Sequence, residues 1–164
     1  MTNPNVTKPF RLTLLLFLLA LLAACAATPG PYQPAAEARR DTARAQRLTT
    51  QAADLIHDDP ERAERLLREA LTADLYHGPA HNNLGVIFLN RGLFYQAAHE
   101  FEWSRKLMPG HPDPRVNLAM TLERAGRIDE AIDAYRTALE VYPGHLHAVM
   151  GLARAQIRHD RTDE

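Results

Sequence analysis

His77, His111 and His145 stand 34 residues apart. A row of imidazoles suggests metal chemistry, since zinc is held about 2.0–2.1 Å from each ring nitrogen. His145 and His147 are two apart, which puts them on different faces of a helix if both are helical. Nucleophiles are scarcer. Ser104 is the only serine, Cys25 the only cysteine, and Lys106 the only lysine beyond residue 8. The counterparts of Ser104 one 34-residue step away are Ala70 and Ala138, so Ser104 reads as small filler between helices. Neither a Ser/His nor a Cys/His arrangement nor a glycine-rich phosphate loop is present, so the sequence predicts no enzyme, no catalytic residue and no cofactor. Amides remain. Asn82 and Asn83 precede Leu84-Gly85, and Asn117 precedes Leu118-Ala119. An amide both donates and accepts, but asparagine is a mediocre helix former. A helix that takes two in a row gains something from them.

The segments that must position these groups begin after an unusual start. The chain has 164 residues, 24% of them charged, with a net charge of −1. That balance argues against a nucleic-acid partner or a polybasic membrane patch. Lys8 and Arg11 precede LTLLLFLLALLAA, an apolar run short of the ~20 residues that span a bilayer. A basic start, a short apolar core and small residues before a break predict a secretory signal over residues 1–24. The break, Leu22-Ala23-Ala24-Cys25, resembles the lipobox of bacterial lipoproteins. The resemblance implies that Cys25 is lipidated on sulfur and, after cleavage, acylated on its new amine. Several acyl chains at about 0.8 kcal/mol per buried methylene give lasting anchorage where one is marginal. An ordinary signal peptide cut nearby, or an uncleaved anchor, is the other reading. Ala26 stands where an aspartate would imply inner-membrane retention, so the resemblance points to the outer membrane, facing the periplasm. The lipidated cysteine and a proline-rich tether, AATPGPYQP, fill residues 25–35, with semi-rigid extended backbone.

Beyond the tether the chain repeats. Leu84, Leu118 and Leu152 recur at a step of 34, as do Gly85, Ala119 and Ala153, Gly92 and Gly126, and Pro109 and Pro143. Ala63, Ala97 and Ala131 align as well, followed by Leu67, Phe101 and Tyr135, then Ala70, Ser104 and Ala138. Small residues fall where paired helices must approach, and large ones at helical spacing fill the remaining space. Gly92 and Gly126 suit left-handed helix ends, and Asp59-Pro60 reads as an N-cap with proline in the first turn. This period and these residues resemble the tetratricopeptide repeat, a helix–turn–helix unit of 34 residues. The expected fold is all-α: a tetratricopeptide-repeat solenoid of three helical hairpins plus a C-terminal capping helix, over residues 36–164. Units fall at about 44–77, 78–111 and 112–145, with the cap at 146–159. Helices are expected at about 36–57, 60–73, 79–91, 94–107, 113–125, 128–141 and 146–159, with a frayed tail from Asp160. Degenerate end units are expected of solenoids, whose ends need a polar outer face. Hairpins stacked at about 8–10 Å cannot readily share one ion between neighbouring histidines, so these read as turn residues and no metal is expected.

The resemblance also implies where a partner binds. In such arrays the first helix of each hairpin lines a concave groove for an extended peptide or a helix. Asn83 and Asn117 resemble the asparagine ladder that grips a ligand backbone, with Gly151 breaking the third rung. The same face carries Asn82, Val86 and Asn90, then Val116, Met120 and Arg124, then Met150 and Arg154; Val86, Val116 and Met120 supply apolar area. A basic clamp for acidic C-termini is not implied, because Leu48 and Ala52 occupy its expected positions. A solvated inner face that binds nothing is the plainer alternative. A second surface is Tyr95, His99 and Trp103, at i, i+4, i+8 on one helix. Their counterparts are Glu61, Arg65 and Glu69, and Asp129, Asp133 and Thr137. This row faces solvent on the convex side in the family, and reads either as a contact site or as local packing, for instance under the helix at 36–57. The chain is thus expected to be a membrane-anchored scaffold for another protein, with a pilotin-like assembly factor for a pilus or secretion secretin as the second reading. A metal carrier or enzyme accessory is the remote one.

Overall fold

Asp59 accepts a hydrogen bond from the Arg62 N–H at 3.0 Å, and Pro60 occupies the first helical turn. That cap launches one of seven helices in the computed structural model, which describes residues 40–162. The expectations for the signal peptide, Cys25, the tether and residues 36–39 lie outside the described residues. The helices are α1 (Thr42–Ala53), α2 (Pro60–Ala73), α3 (Gly78–Asn90), α4 (Phe94–Leu107), α5 (Asp113–Arg124), α6 (Ile128–Val141) and α7 (Leu146–Thr162). No strand occurs among the described residues. Six helices pair as the hairpins α1–α2, α3–α4 and α5–α6, and α7 packs on α6.

Two helices differ from expectation by more than one residue. The first helix spans Thr42–Ala53 rather than 36–57. Asp41 caps its start by accepting from the Arg44 N–H at 2.9 Å, and Leu55 N–H closes a tighter bond to the Ala52 carbonyl, so residues 54–58 turn toward the next cap. The last helix runs to Thr162 rather than fraying at Asp160. A His159–Asp129 contact at 2.8 Å and an Arg158–Glu123 ion pair at 3.5 Å hold that end against earlier helices.

Gly92 and Gly126 adopt φ of +75° and +82°, the left-handed caps expected of them. The α3–α4 hairpin closes on a small residue facing a large one. A Cβ on Gly85 would sit 2.7 Å from the Phe101 ring, so only glycine lets α3 and α4 approach this closely. The α2, α4 and α6 residues at the equivalent large position (Leu67, Phe101, Tyr135) are all fully buried. Neighbouring first helices touch (α1 with α3, α3 with α5, α5 with α7), whereas second helices do not touch one another. The stack therefore bends with its first helices on the inside.

Candidate peptide-binding face

The inner face is made by α3 and α5, and three of its amides meet. Asn117 Nδ2 donates to Asn82 Oδ1 at 3.0 Å across the joint between the helices. Asn82 Nδ2 in turn donates to Asn83 Oδ1 at 3.4 Å. The relay leaves the Asn83 amide nitrogen as a donor and the Asn117 amide oxygen as an acceptor, with no partner among the described residues. All three side chains are half-buried, which fixes them while keeping their free ends accessible. Asn82 is thus the link that orients the other two.

The remaining groove residues divide. Val86 and Met120 are partly buried on the same face, and Asn90 is exposed at the end of α3. Val116 is only 3% exposed and belongs to the core, so it cannot supply groove area as expected. Arg124 lies over the Phe94 ring at 5.6 Å, which fixes its cation at the far end of the inner face. Met150 is exposed. Arg154 is committed to Glu123, with both guanidinium bonds at 2.7 Å. Gly151, where a third asparagine would stand, has Tyr135 against it: a Cβ there would lie 2.3 Å from the ring. The ladder stops because the packing of α6 on α7 leaves no room for another rung.

The family model described as tetratricopeptide repeat matches residues 116–164. Among solved structures, the first such domain of Spaghetti (RPAP3), bound to an HSP90 peptide, superposes with a TM-score of 0.70 at 15% identity, covering 74% of this chain and 98% of that one. The second such domain of human RPAP3, in complex with an HSP70 peptide, gives 0.65 at 17% identity, with 70% and 96% covered. Residues 40–162 have the fold of a tetratricopeptide-repeat solenoid. A mutant O-GlcNAc transferase from Thermobaculum terrenum is also similar, with a TM-score of 0.66 and 26% identity over 71% of this chain and 22% of that protein. No curated protein matches the chain.

Two polar clusters in this helical stack were not evident from the repeat pattern alone. Glu123 is buried where the preceding unit has Leu89. Arg154, Arg158 and the Tyr135 hydroxyl, 3.0 Å away, surround its carboxylate. The Arg154 hydrogen bonds hold the Glu123 carboxyl below its ordinary range against the opposing effect of burial. A lone acid in an apolar repeat column was the available signal. The second cluster is His81, buried on α3. Its Nε2 donates to the Leu75 carbonyl at 2.9 Å and its Nδ1 faces the Glu100 carboxylate at 2.7 Å.

His81 divides the aromatic row. Trp103 stacks on the His81 ring with centroids 5.8 Å apart and is 38% exposed, so it serves as a lid over the His81–Glu100 pair. It does not lie under the first helix. Tyr95 is 85% exposed and His99 is exposed, leaving that end of the row to solvent.

The repeat histidines occupy the inter-unit turns, as expected. His145 accepts from the Ala148 N–H at 3.3 Å and faces Asp113 at 3.1 Å, while His111 is exposed. His77 is buried with Nε2 unpartnered, and burial holds it below its ordinary value of 6.5. Asp74 and Glu123 are likewise held low, chiefly by hydrogen bonds from Arg40 and Arg154. All three groups bind protons more weakly folded than unfolded, so stability falls with acidification. The His77 contribution is lost first, as pH drops below 6.5. The carboxylate contributions follow as pH falls through folded values below 3.8 for Asp74 and 4.5 for Glu123. Urea midpoints measured against pH should therefore show two descending limbs, and His77→Leu should remove the upper one alone.

Proposed function

We propose that this domain is a protein-interaction module that holds an extended or helical segment of a partner on its inner face. The Asn117–Asn82–Asn83 relay carries the reading. It presents one free donor and one free acceptor, held by a shared network, and a main chain offers the complementary C=O and N–H whatever its side chains. Val86 and Met120 flank the relay with adaptable apolar surface, methionine being the more deformable. Two of the similar domains were solved with peptides bound, which supports a peptide ligand as a class. The module is non-enzymatic in this reading. The lipobox-like Cys25 would tether it to the bacterial envelope, at the outer membrane and facing the periplasm.

Two main-chain hydrogen bonds at about 0.5–1.5 kcal/mol each come to about 2 kcal/mol, or roughly 30-fold in affinity. A photo-crosslinking residue at Val86 of the full chain should capture a partner in cells, and Asn83→Ala/Asn117→Ala should cut its recovery by that order while helical content stays unchanged. Recovery unaffected by the double variant would move the binding surface elsewhere. Metabolic lipid labelling tests the anchor: label that persists in Cys25→Ser excludes it.

A further inference from the structure

Five columns of the repeat are broken once each, and the five residues that break them line one cleft. Leu75 stands where later units have Pro109 and Pro143, and His81 where they have Arg115 and Val149. His99 replaces Arg65 and Asp133, Glu100 replaces Leu66 and Ala134, and Trp103 replaces Glu69 and Thr137. The neighbouring units fold without these residues, so hairpin stacking does not demand them. The cleft they line runs between α2 and α4, with α3 as its floor, and encloses about 460 Å³. That lies within the roughly 300–1,000 Å³ usual for small-molecule sites.

Trp103 is the centre of the cleft. Its ring lies nearly parallel to that of His81, at 15° with centroids 5.8 Å apart, so the buried imidazole backs one face and the exposed part of the indole looks outward. His81 is itself fixed at both nitrogens, by the Leu75 carbonyl and Glu100. The aromatic platform is therefore already ordered, which lowers the cost of using it. Hydrogen-bonding groups are left over around it. His81 engages Oε2 of Glu100, and Oε1 has no partner among the described residues. Thr72 gives its hydroxyl hydrogen to the Arg68 carbonyl at 3.0 Å and keeps its lone pairs. Arg68 gives Nε and Nη2 to Glu64 and retains Nη1.

We propose that this cleft binds a neutral saccharide, with one pyranose ring lying on the outer face of Trp103. A pyranose matches both halves of the site. Its C–H face is slightly positive and suits the negative face of an aromatic ring. Its hydroxyls, each one donor and two acceptor lone pairs, project around the rim, where Glu100 and Thr72 accept and Arg68 donates. A flat aromatic ligand or an apolar side chain would use the indole and leave those rim groups unmet. Charge argues for a neutral ligand: the lining holds one guanidinium and one carboxylate, each already engaged within the domain, so no excess selects an ion. His99 and Tyr95 continue the row along α4 in steps of about 6 Å, and Tyr95 is almost wholly exposed. A chain of sugars thus has further rings to lie on. The Asn83–Asn117 relay stands on α3 and α5 and remains open while the cleft is filled.

Trp103 is the only tryptophan in the chain, so its emission reads the site directly in the full-length protein. The β-1,4-linked tetramers of glucose and of N-acetylglucosamine are the probes. At least one should give a saturable change in emission and bind more tightly than its own monosaccharide. Glu100→Gln keeps an oxygen for His81 and turns the outward acceptor into a donor. It should weaken binding about tenfold, as for a lost hydrogen bond to a charged group, with helical content retained. Tyr95→Ala, at an exposed position, should remove the advantage of the tetramer over the monosaccharide. No response to either tetramer up to millimolar concentration overturns the proposal and leaves the face to a protein partner. A response that both variants leave unchanged means non-specific stacking, and phenol displacing the tetramer at lower concentration than the monosaccharide means a site for flat aromatics; either overturns it as well.

Discussion

Gly151→Asn, which would restore the missing third rung, is expected to destabilise the domain by about 3 kcal/mol, the upper part of the range for forcing atoms into a packed interior. The new Cβ would lie 2.3 Å from the Tyr135 ring. That ring cannot easily retreat, because its hydroxyl is bonded to Glu123, which Arg154 holds through two further bonds. The strain is therefore concentrated on the contact between α6 and α7, and α7 should be the first element to loosen. Urea denaturation followed by helical circular dichroism gives the size of the effect, and hydrogen exchange locates it. Tyr135→Leu in the same chain should recover part of the loss, since a shorter side chain admits the Cβ. A Gly151→Asn midpoint equal to wild type would mean that the ring has space the packing does not show.

Phe101→Ala is expected to cost about 3–5 kcal/mol, the usual range for removing a buried aromatic side chain. Phe101 is fully buried and fills the contact that Gly85 opens between α3 and α4. Because this hairpin sits between two others, its loss should lower the midpoint of the whole domain rather than fray one end. The pair is also expected to be non-additive. Gly85→Ala clashes with the ring when Phe101 is present but helps fill the cavity when it is absent, so the double variant should lose less than the two singles together. Simple additivity would show that the two residues do not share one packing site.

These two positions illustrate what could be read from the sequence. The role of Gly85 was legible because small and large residues alternate between paired helices at a fixed 34-residue step, and both columns repeat. The same periodicity placed α2, α4 and α6 to the residue. Gly151 was legible only as an interruption of the asparagine column. Its cause lies in Tyr135, sixteen residues earlier, and a single-column reading does not cross from one helix to another. Val116 was misplaced for a related reason: spacing assigns a helix face, but the seam between groove and core runs along that face, and burial on it is decided by the neighbouring helix. Glu123 and His81 escaped because each breaks its column once, and such polar substitutions make sense only with their partners in view. The relay through Asn82 was likewise hidden, since Asn82 has no counterpart asparagine at Val116 or Met150 and contributes through contact with Asn117 rather than through repetition.

The first described residues have a mechanical consequence. Arg40 and Thr42 both bond the Asp74 carboxylate, at 2.8 Å and 2.9 Å, and the Asp41 N–H bonds the Ala73 carbonyl at 3.0 Å. Residues 40–42 are thereby fastened to the far end of the first hairpin. A pull applied at residue 40 does not begin by unwinding α1 from its exposed end. It loads several hydrogen bonds in parallel and passes directly into α2, so the domain meets tension as a latched hairpin with Asp74 at the latch.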